Sequence, residues 1–285
     1  MTIWELDFYS RPVLDEAGKK RWEILIQEAP LSPLQPVGEL FRYAEWCAGS
    51  EVNSQRLMDA IRKAIATSGQ PPEKIRFFRR AMNNMITKAC QDLGIPCRLS
   101  RRTVSLAQWL EQRQADVYPL EPGYEDGSTP SVQYPPEAAQ PLPDALRGDR
   151  WALVSLQARD FADWNEWSIG FGEGFSPEAL GLLPEDPVPG LLVYSSRALP
   201  LAGWLSGLDL AALTWDAAAS QLLLETGGSE RWILASLTQP TLQAEAERFD
   251  QARQAARGVH FLAVQSSPES EEFAGFWLMQ SLELG

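Results

Sequence analysis

Residues 3–27, "IWELDFYSRPVLDEAGKKRWEILIQ", decide the fold of the first half of the chain, because apolar and polar side chains alternate in two runs. In the first run Trp4, Leu6 and Phe8 alternate with polar neighbours, the period-2 pattern of a strand with one buried face. "DEAGKK" predicts a hairpin tip, and "RWEILIQ" predicts a second strand antiparallel to the first. A third strand is predicted near "GELFRYAEWC", residues 38–47, which completes an antiparallel meander.

The residues that follow predict helices separated by short strands. Apolar residues at helical spacing predict one helix that begins after Asn53 and stops at Gly69, a second that ends at Gly94, and a third behind Thr103. "KIRFF" and "IPCRLS", which lie between them, predict strands. A meander followed by two helical crossovers is the element order of ribonuclease H-like folds, and right-handed crossovers place both short strands beside the meander. We therefore predict an α/β first domain with a mixed sheet and ribonuclease H-like element order.

A proline-rich segment divides the chain. Residues 119–148 contain seven prolines and little apolar periodicity, which indicates a semi-extended linker. The predicted domains are an N-terminal α/β domain (1–118), the linker (119–148) and an acidic C-terminal α/β domain (149–285). In the last of these a largely antiparallel sheet is predicted, with the helix "TLQAEAERFDQARQAAR" and the strands "RWALVSLQ", "GLLVYSS", "LAALTWD", "QLLLET", "RWILASL", "VHFLAVQ" and "GFWLMQSL".

The composition is that of an ordinary globular protein. No run approaches the roughly 18 apolar residues of a membrane span, and the N-terminus lacks a signal-peptide pattern, so a cytoplasmic protein without membrane insertion is expected. Cys47, Cys90 and Cys97 form no CxxC motif, which favours free thiols in a reducing compartment over a structural zinc site. No cofactor or metal is expected.

The formal net charge of the chain is −13, but the basic residues are concentrated in one segment. From Pro72 to Arg113 there are nine basic and three acidic side chains, a net +6, whereas the remaining residues carry −19. Affinity for phosphate depends on the local density of Lys and Arg. This segment is therefore the candidate region for binding RNA or another polyanion.

Two arginine pairs in that segment follow predicted strands. Arg79–Arg80 come after "KIRFF" and Arg101–Arg102 after "IPCRLS", each directly before a predicted helix. Parallel strands that feed helices end at one edge of a sheet, so both pairs are expected there. Helix N-termini offer N–H groups to phosphate, and together these features predict an anion-binding rim without sequence specificity. The alternative is that the arginines form ion pairs with acids of the second domain.

Aromatic residues near these cations have two interpretations. Phe77 and Phe78 are either base-stacking platforms or core residues of a central strand covered on both faces, and the core is favoured. Trp204, in "RALPLAGWLSGL", follows a predicted loop and is the better candidate for a surface aromatic.

Catalysis has less support in the sequence. A ribonuclease H-like nuclease needs carboxylates that hold two metal ions, but the fourth strand carries Arg76 and Arg79 where an acid is required. The lone histidine, His260, lies in an apolar strand, where a structural role is favoured. No catalytic residues are therefore predicted. The carboxylates available to a nuclease are Asp7 or Asp15 for the first position and Glu51 or Asp59 for the second.

Five motifs occur in one order along nearly the whole chain: "WELDFYSRPVLDEAGKKRWE", "PEKIRFFRRAM", "SRRTVSLAQWLEQR" with "VYPLEPGY", "PGLLVYSSRALPLAGWLSGL", and "GVHFLAVQ" with "FAGFWLMQSL". Together they resemble the Tab/Atab family of chloroplast and cyanobacterial RNA-binding proteins. The resemblance implies RNA binding, with a role in translation of photosystem I messages and in photosystem biogenesis. The chain begins almost directly at the first motif, without a plastid transit peptide, so a cyanobacterial, cytoplasmic member is expected.

The resulting prediction is a non-enzymatic RNA-binding protein that engages single-stranded or A/U-rich leader RNA and supports translation and biogenesis of photosystem subunits. The alternative is a protein-interaction or assembly factor whose acidic second domain contacts the ribosome or a photosystem subunit. A metal-dependent nuclease is the third hypothesis. The predicted RNA-binding residues are Lys19, Lys20, Lys74, Arg76, Arg79, Arg80, Arg101, Arg102, Arg197 and Trp204.

Overall fold

The computed structural model describes residues 2–127, 137–167 and 173–282, which form two compact units. The first unit contains residues 2–29 and 39–127, and the second contains residues 30–38, 137–167 and 173–282. Both units combine strands and helices. The predicted two-domain α/β architecture is therefore confirmed.

The described residues of the first unit form five strands and three α-helices: β1 (Ile3–Leu14), β2 (Lys20–Glu28), β3 (Arg42–Cys47), α1 (Ser54–Ser68), β4 (Lys74–Phe77), α2 (Asn83–Asp92), β5 (Cys97–Leu99) and α3 (Val104–Asp116). The strands make one mixed sheet in the order β3-β2-β1-β4-β5. β1, β2 and β3 pair antiparallel, whereas β4 runs parallel to β1 and β5 parallel to β4. Both short strands lie beside the meander, as expected from right-handed crossovers. The likeness to ribonuclease H-like folds stays a prediction.

One face of this sheet packs on α1 and α2. Trp4, Leu6 and Phe8 of β1 are buried there with Ile24 and Ile26 of β2. Helix α1 begins where the Asn53 side chain accepts a hydrogen bond from the Arg56 N–H at 2.8 Å, a common N-terminal cap. It ends at Gly69, whose φ of 78° lies in the left-handed region that favours glycine. The first helix predicted from the sequence is thus confirmed.

The opposite face of the sheet is polar but buried. Glu5 and Asp7 of β1, Glu23 and Gln27 of β2 and Arg76 of β4 are each 2% exposed or less. Helix α3 lies on this face, where its apolar side chains form a small cluster with the sheet. That cluster consists of Leu25, Phe78, Leu106, Trp109 and Leu110.

Phe77 and Phe78 lie in the core, as predicted. Phe77 packs in the cluster formed with α1 and α2, whereas Phe78 packs under α3. Consecutive residues of a strand point to opposite faces, so both rings are buried only because both faces are covered.

The described residues of the second unit form eight strands and two α-helices: β6 (Gln140–Pro141), β7 (Arg150–Gln157), β8 (Pro187–Tyr194), α4 (Ala198–Ser206), β9 (Leu210–Asp216), β10 (Gln221–Thr226), β11 (Glu230–Ser236), α5 (Pro240–Ala255), β12 (Val259–Gln265) and β13 (Phe273–Gln280). The strands make two four-stranded sheets in the orders β6-β11-β10-β9 and β13-β12-β8-β7. In each sheet two of the three pairings are antiparallel, as predicted. In the described part of the chain, no helix is long and apolar enough to span a bilayer.

The described ends of the predicted 119–148 linker belong to the folded units. Tyr118–Leu120 form one 3-10 turn, and Tyr124 pairs with Val13 of β1. At the other end Gln140–Pro141 extend the second unit's sheet by pairing with β11. Residues 128–136 of the predicted linker lie outside the described residues.

Candidate nucleic-acid interface

The two arginine pairs follow neighbouring parallel strands. β4 and β5 are in register at Phe77 and Leu99, and the N–H of Ser100 donates to the Phe77 carbonyl at 2.8 Å. Arg79–Arg80 and Arg101–Arg102 therefore leave the sheet at the same edge, as predicted. We name these four residues the basic rim.

Exposure divides the basic rim into two kinds of residue. Arg79, Arg80 and Arg101 are partly exposed. Arg102 is only 7% exposed, and the Arg79 side chain is 14% exposed. A phosphate must reach a guanidinium group to bind it, so Arg102 is the least accessible of the four rim residues to an anion.

Arg79 is held by a carboxylate of its own unit. Its Nε donates to Oδ1 of Asp7 at 2.7 Å, and its Cζ lies 3.9 Å from the ring centroid of Tyr9. Arg11 donates to the other oxygen of Asp7 at 2.9 Å. Burial by itself would raise the pKa of Asp7, but the two guanidinium groups hold it below its usual value. Pairing of the arginines with acids was the alternative interpretation, and for Arg79 the partner lies in the first unit rather than the second.

A second buried carboxylate continues this network. Glu23 accepts hydrogen bonds from Arg11 at 3.0 Å, from Arg113, and from the Tyr118 hydroxyl at 2.7 Å. Burial raises the pKa of Tyr118, so this hydroxyl stays a donor. Buried ion pairs need such full hydrogen bonding to offset desolvation. The network therefore fixes the polar face of the sheet. Sequence reasoning did not predict it, although all of its members lie within the quoted family motifs.

The N-terminus of α3 is occupied by a carboxylate. Oε2 of Glu5 accepts from the Leu106 N–H at 2.7 Å and from the Ser105 hydroxyl at 2.8 Å. These contacts place a buried negative charge at the positive end of the helix. The prediction that this helix start offers its N–H groups to phosphate is wrong for the Leu106 N–H, because Glu5 already accepts that hydrogen bond.

Other predicted contacts in the first unit are distributed over the sheet. Arg76 is 2% exposed, in register with Glu5 and Arg98 on the face under α3, so its prediction as a surface phosphate ligand is wrong for this conformation. Lys74 is partly exposed at the start of β4, the end of the strand away from the rim.

Lys19 and Lys20 are exposed at the hairpin tip. β1 runs parallel to β4 and extends from Leu6, which pairs with Phe77, to Leu14, roughly 26 Å of additional strand. The tip thus lies beyond the same edge of the sheet as the basic rim.

Two predicted residues lie in the second unit. Arg197 is exposed directly before α4. Trp204 is half-buried on α4, with its ring edge to face against Trp232 at 5.4 Å. The expectation that Trp204 follows a loop is wrong, because "ALPLAGWLS" is helical.

The carboxylates of the nuclease hypothesis are already engaged elsewhere. Asp7 binds two arginines, Asp15 accepts from backbone N–H groups of the hairpin turn, and Asp59 pairs with Arg62 on α1. Glu51 accepts from the Ala48 N–H. Among residues 2–127, 137–167 and 173–282, no three His, Cys, Asp or Glu side chains are grouped to hold a metal.

His260 is a buried structural residue, as favoured from the sequence. Its Nε2 accepts from the Leu213 N–H at 2.8 Å, and its Nδ1 lies 2.7 Å from the Gly258 carbonyl. Because Nε2 accepts, Nδ1 carries the proton and donates to that carbonyl.

Family models match both units of the chain. Residues 3–113 match the model described as RNA-binding protein Tab2/Atab2 N terminal, and residues 129–280 match the Tab2/Atab2 C-terminal domain. The chain belongs to the Tab2/Atab2 family of RNA-binding proteins. The resemblance found in the sequence motifs is thereby confirmed.

Two plant proteins are similar to this Tab2/Atab2 chain over nearly its whole length. The chloroplastic TAB2 homologue of Zea mays is 38% identical over 286 residues, which cover 98% of this chain and 71% of that protein. The chloroplastic TAB2 homologue of Arabidopsis thaliana is 37% identical over 287 residues, covering 98% of this chain and 74% of that protein. A solved structure of the HTLV-2 integrase catalytic core domain with magnesium aligns to 42% of this chain and 75% of that chain, with 16% identity and a TM-score of 0.26.

Proposed function

We propose that this Tab2/Atab2 member is a non-enzymatic RNA-binding factor that holds single-stranded, A/U-rich leader RNA and supports translation and biogenesis of photosystem subunits in the cytoplasm. The observation that carries the proposal is the position of Arg80 and Arg101 at one sheet edge, in a family described as RNA-binding. The chloroplastic names of the plant relatives support a link to photosynthesis.

The basic rim supplies the charge that phosphate recognition needs. Arg80 and Arg101 are partly exposed at the edge beyond which the hairpin carries Lys19 and Lys20. Arginine binds phosphate through paired N–H groups, and the separated lysines extend the cationic track along a single strand. This arrangement supports contact with the RNA backbone and does not distinguish one base sequence from another.

The test is a charge reversal at the rim. The double variant Arg80→Glu/Arg101→Glu is compared with Arg62→Glu/Arg248→Glu, which makes the same charge change at exposed positions on α1 and α5. We expect the rim variant to weaken binding of a fluorescent A/U-rich single strand at least about tenfold in anisotropy titrations, equivalent to about 1.4 kcal/mol. The α1/α5 variant keeps nearly full affinity. Equal affinities of the two folded variants would refute the assignment.

A second candidate function, protein interaction, is favoured by an acidic and aromatic surface of the second unit. Asp163 and Glu166 are exposed beside the half-buried rings of Trp164 and Trp167, which both pack on Phe276. Such a surface suits a basic partner, for example a ribosomal protein or a photosystem subunit. Capture of a defined partner that survives ribonuclease treatment and is lost in Asp163→Lys/Glu166→Lys would support this function.

A further inference from the structure

Guanidinium groups and aromatic rings lie in a row beside β3, the outermost strand on one side of the first sheet. The Cζ of Arg42 lies 5.3 Å from the ring centroid of Trp109, and the Cζ of Arg113 lies 5.5 Å from the same ring. Arg113 is also 5.5 Å from the Tyr118 ring. Cations over aromatic faces at these distances attract the ring electrons.

The same series continues to the other end of β3. Tyr118 meets Trp46 edge to face at 5.9 Å, and the Cζ of Arg21 lies 4.2 Å from the Trp46 ring centroid. The six side chains thus form one continuous series across β2, β3, α3 and the turn after α3. We name them the Arg–aromatic ladder: Arg42, Trp109, Arg113, Tyr118, Trp46 and Arg21.

The ladder has an open position on β3. Arg42, Ala44 and Trp46 alternate along the strand and so share one face of it. Ala44 is exposed and has the smallest side chain of the three, whereas Arg42 and Trp46 are partly exposed. Arg42 and Trp46 are four residues apart along the strand, roughly 13 Å, and the exposed Ala44 lies between them.

Charge is unevenly compensated within the ladder. Arg21 pairs with Glu121 at 2.9 Å, and Arg113 pairs with Glu23. In the described part of the chain, the Arg42 guanidinium has no carboxylate partner, and its buried Nε has no hydrogen bond. Burial lowers the pKa of Arg42 without an acid to oppose it. The adjacent carboxylate of Glu28 instead accepts from the Phe41 N–H.

A second polar group beside Arg42 also lacks a partner. Gln27 pairs directly with Arg42 across β2 and β3, and it is 0% exposed. Neither its Oε1 nor its Nε2 has a hydrogen bond within the described residues. Buried amides are nearly always hydrogen-bonded. Arg42 and Gln27 together therefore mark a place where the protein has unused hydrogen-bonding capacity next to an aromatic surface.

We infer that the accessible β3 part of the Arg–aromatic ladder is a stacking site for single-stranded RNA, with a base above Ala44 between Arg42 and Trp46 and a phosphate on the Arg42 guanidinium. The buried Trp109 and Tyr118 support these side chains from below. The inference rests on the proposed RNA-binding function and gives it a second contact surface. Bases stack on aromatic rings and on guanidinium planes without regard to sequence. The phosphate supplies the anion that Arg42 lacks.

The ladder and the basic rim are separable. The ladder lies at β3, and the rim follows β4 and β5, three to four strand positions away or roughly 14–19 Å. Substitutions at Arg42 or Ala44, which lie outside the Asp7–Glu23 network, therefore leave Arg80 and Arg101 in place. A single strand of several nucleotides is long enough to contact both.

The decisive substitution is Ala44→Glu, which puts a carboxylate on the open position without disturbing a buried group. Its matched control is Ala66→Glu, at an exposed position of α1. We expect Ala44→Glu and Arg42→Gln each to weaken binding of an A/U-rich single strand about fivefold or more, and Ala66→Glu to bind like wild type. Thermal melts establish that each variant is folded. If Arg42→Gln is unstable, the affinity of Ala44→Glu alone tests whether RNA binds at the ladder.

Photocrosslinking tests independently whether a base stacks at Trp46. RNA that carries 5-iodouridine is expected to crosslink to the peptide containing Trp46 in wild type and to lose that crosslink in Ala44→Glu. If Ala44→Glu keeps wild-type affinity and the Trp46 crosslink is absent while Arg80→Glu/Arg101→Glu is impaired, the ladder proposal is wrong and the proposed function stands. If wild type binds no RNA in the same titration, the proposed function itself fails.

Discussion

Nε of Arg79 lies 2.7 Å from Oδ1 of Asp7, and the Asp7 carboxylate is fully buried. This pair connects the first strand of the sheet with the segment that follows the fourth. Arg11 forms a second ion pair with the other carboxylate oxygen. The most conspicuous cation cluster in the sequence is therefore partly structural, and its surface charge comes from the neighbouring Arg80 and Arg101.

Asp7→Asn is expected to destabilise the first unit by about 3–5 kcal/mol, because it leaves the Arg79 and Arg11 guanidinium groups facing a neutral amide in a buried site. Urea unfolding followed by fluorescence measures the change. Asp59→Asn is the control, since its carboxylate pairs with Arg62 at the surface and should change stability by less than about 0.5 kcal/mol. Similar losses for the two variants would contradict a stabilising role for the buried pair.

The stability contributed by Asp7 should depend on pH. Its pKa is lowered in the folded protein by Arg79 and Arg11 against the opposing effect of burial. A carboxyl group with a lowered folded-state pKa stabilises the fold fully above its unfolded pKa of about 3.9. That contribution is lost as pH falls through the folded value. The difference in unfolding free energy between wild type and Asp7→Asn should therefore be constant from pH 7 to 5 and shrink below about pH 4.

Glu5→Ala is expected to lower the free energy of unfolding by about 2–3 kcal/mol, because the carboxylate accepts two buried hydrogen bonds at the start of α3. Ser105→Ala removes only the hydroxyl donor and should cost about 1 kcal/mol. Chemical denaturation of the two variants compares them directly. A loss for Glu5→Ala no larger than that for Ser105→Ala would show that Glu5 does not cap the helix.

Cys97 is expected to be the most reactive of the three thiols. A hydrogen bond with the Cys90 side chain lowers the pKa of Cys97 to about 7, whereas the pKa of Cys90 is raised by the same contact and that of Cys47 by burial. Alkylation by iodoacetamide, followed by peptide mass spectrometry, should label Cys97 first, with a rate that rises through about pH 7. In Cys90→Ala the midpoint should move upward, and an unchanged midpoint would show that Cys90 does not activate Cys97.

The strand order of the first sheet follows from the alternation of apolar residues and from the right-handedness of crossover connections. The alternation of Trp4, Leu6 and Phe8 predicts the first strand, and right-handed crossovers place the strands before Arg79 and Arg101 side by side. The same alternation shows that Glu5 and Asp7 share a face. It does not show that α3 covers this face, so the burial of Arg76 and the ion pair between Arg79 and Asp7 required the tertiary structure.

Two further features were beyond sequence reasoning. Helix α4, which contains Trp204, was not predicted; its Pro200 lies in the first turn, where proline is tolerated. The Arg–aromatic ladder joins residues as distant in sequence as Arg21 and Tyr118. No local pattern brings such residues together.

Binding of RNA through Arg80 and Arg101 is tested in cells by crosslinking followed by sequencing of the bound RNA. Wild type should recover 5′ leaders of photosystem-subunit messages well above the Arg80→Glu/Arg101→Glu variant, while Arg62→Glu/Arg248→Glu recovers them like wild type. Equal recovery by wild type and the rim variant, at equal protein levels, would contradict the account.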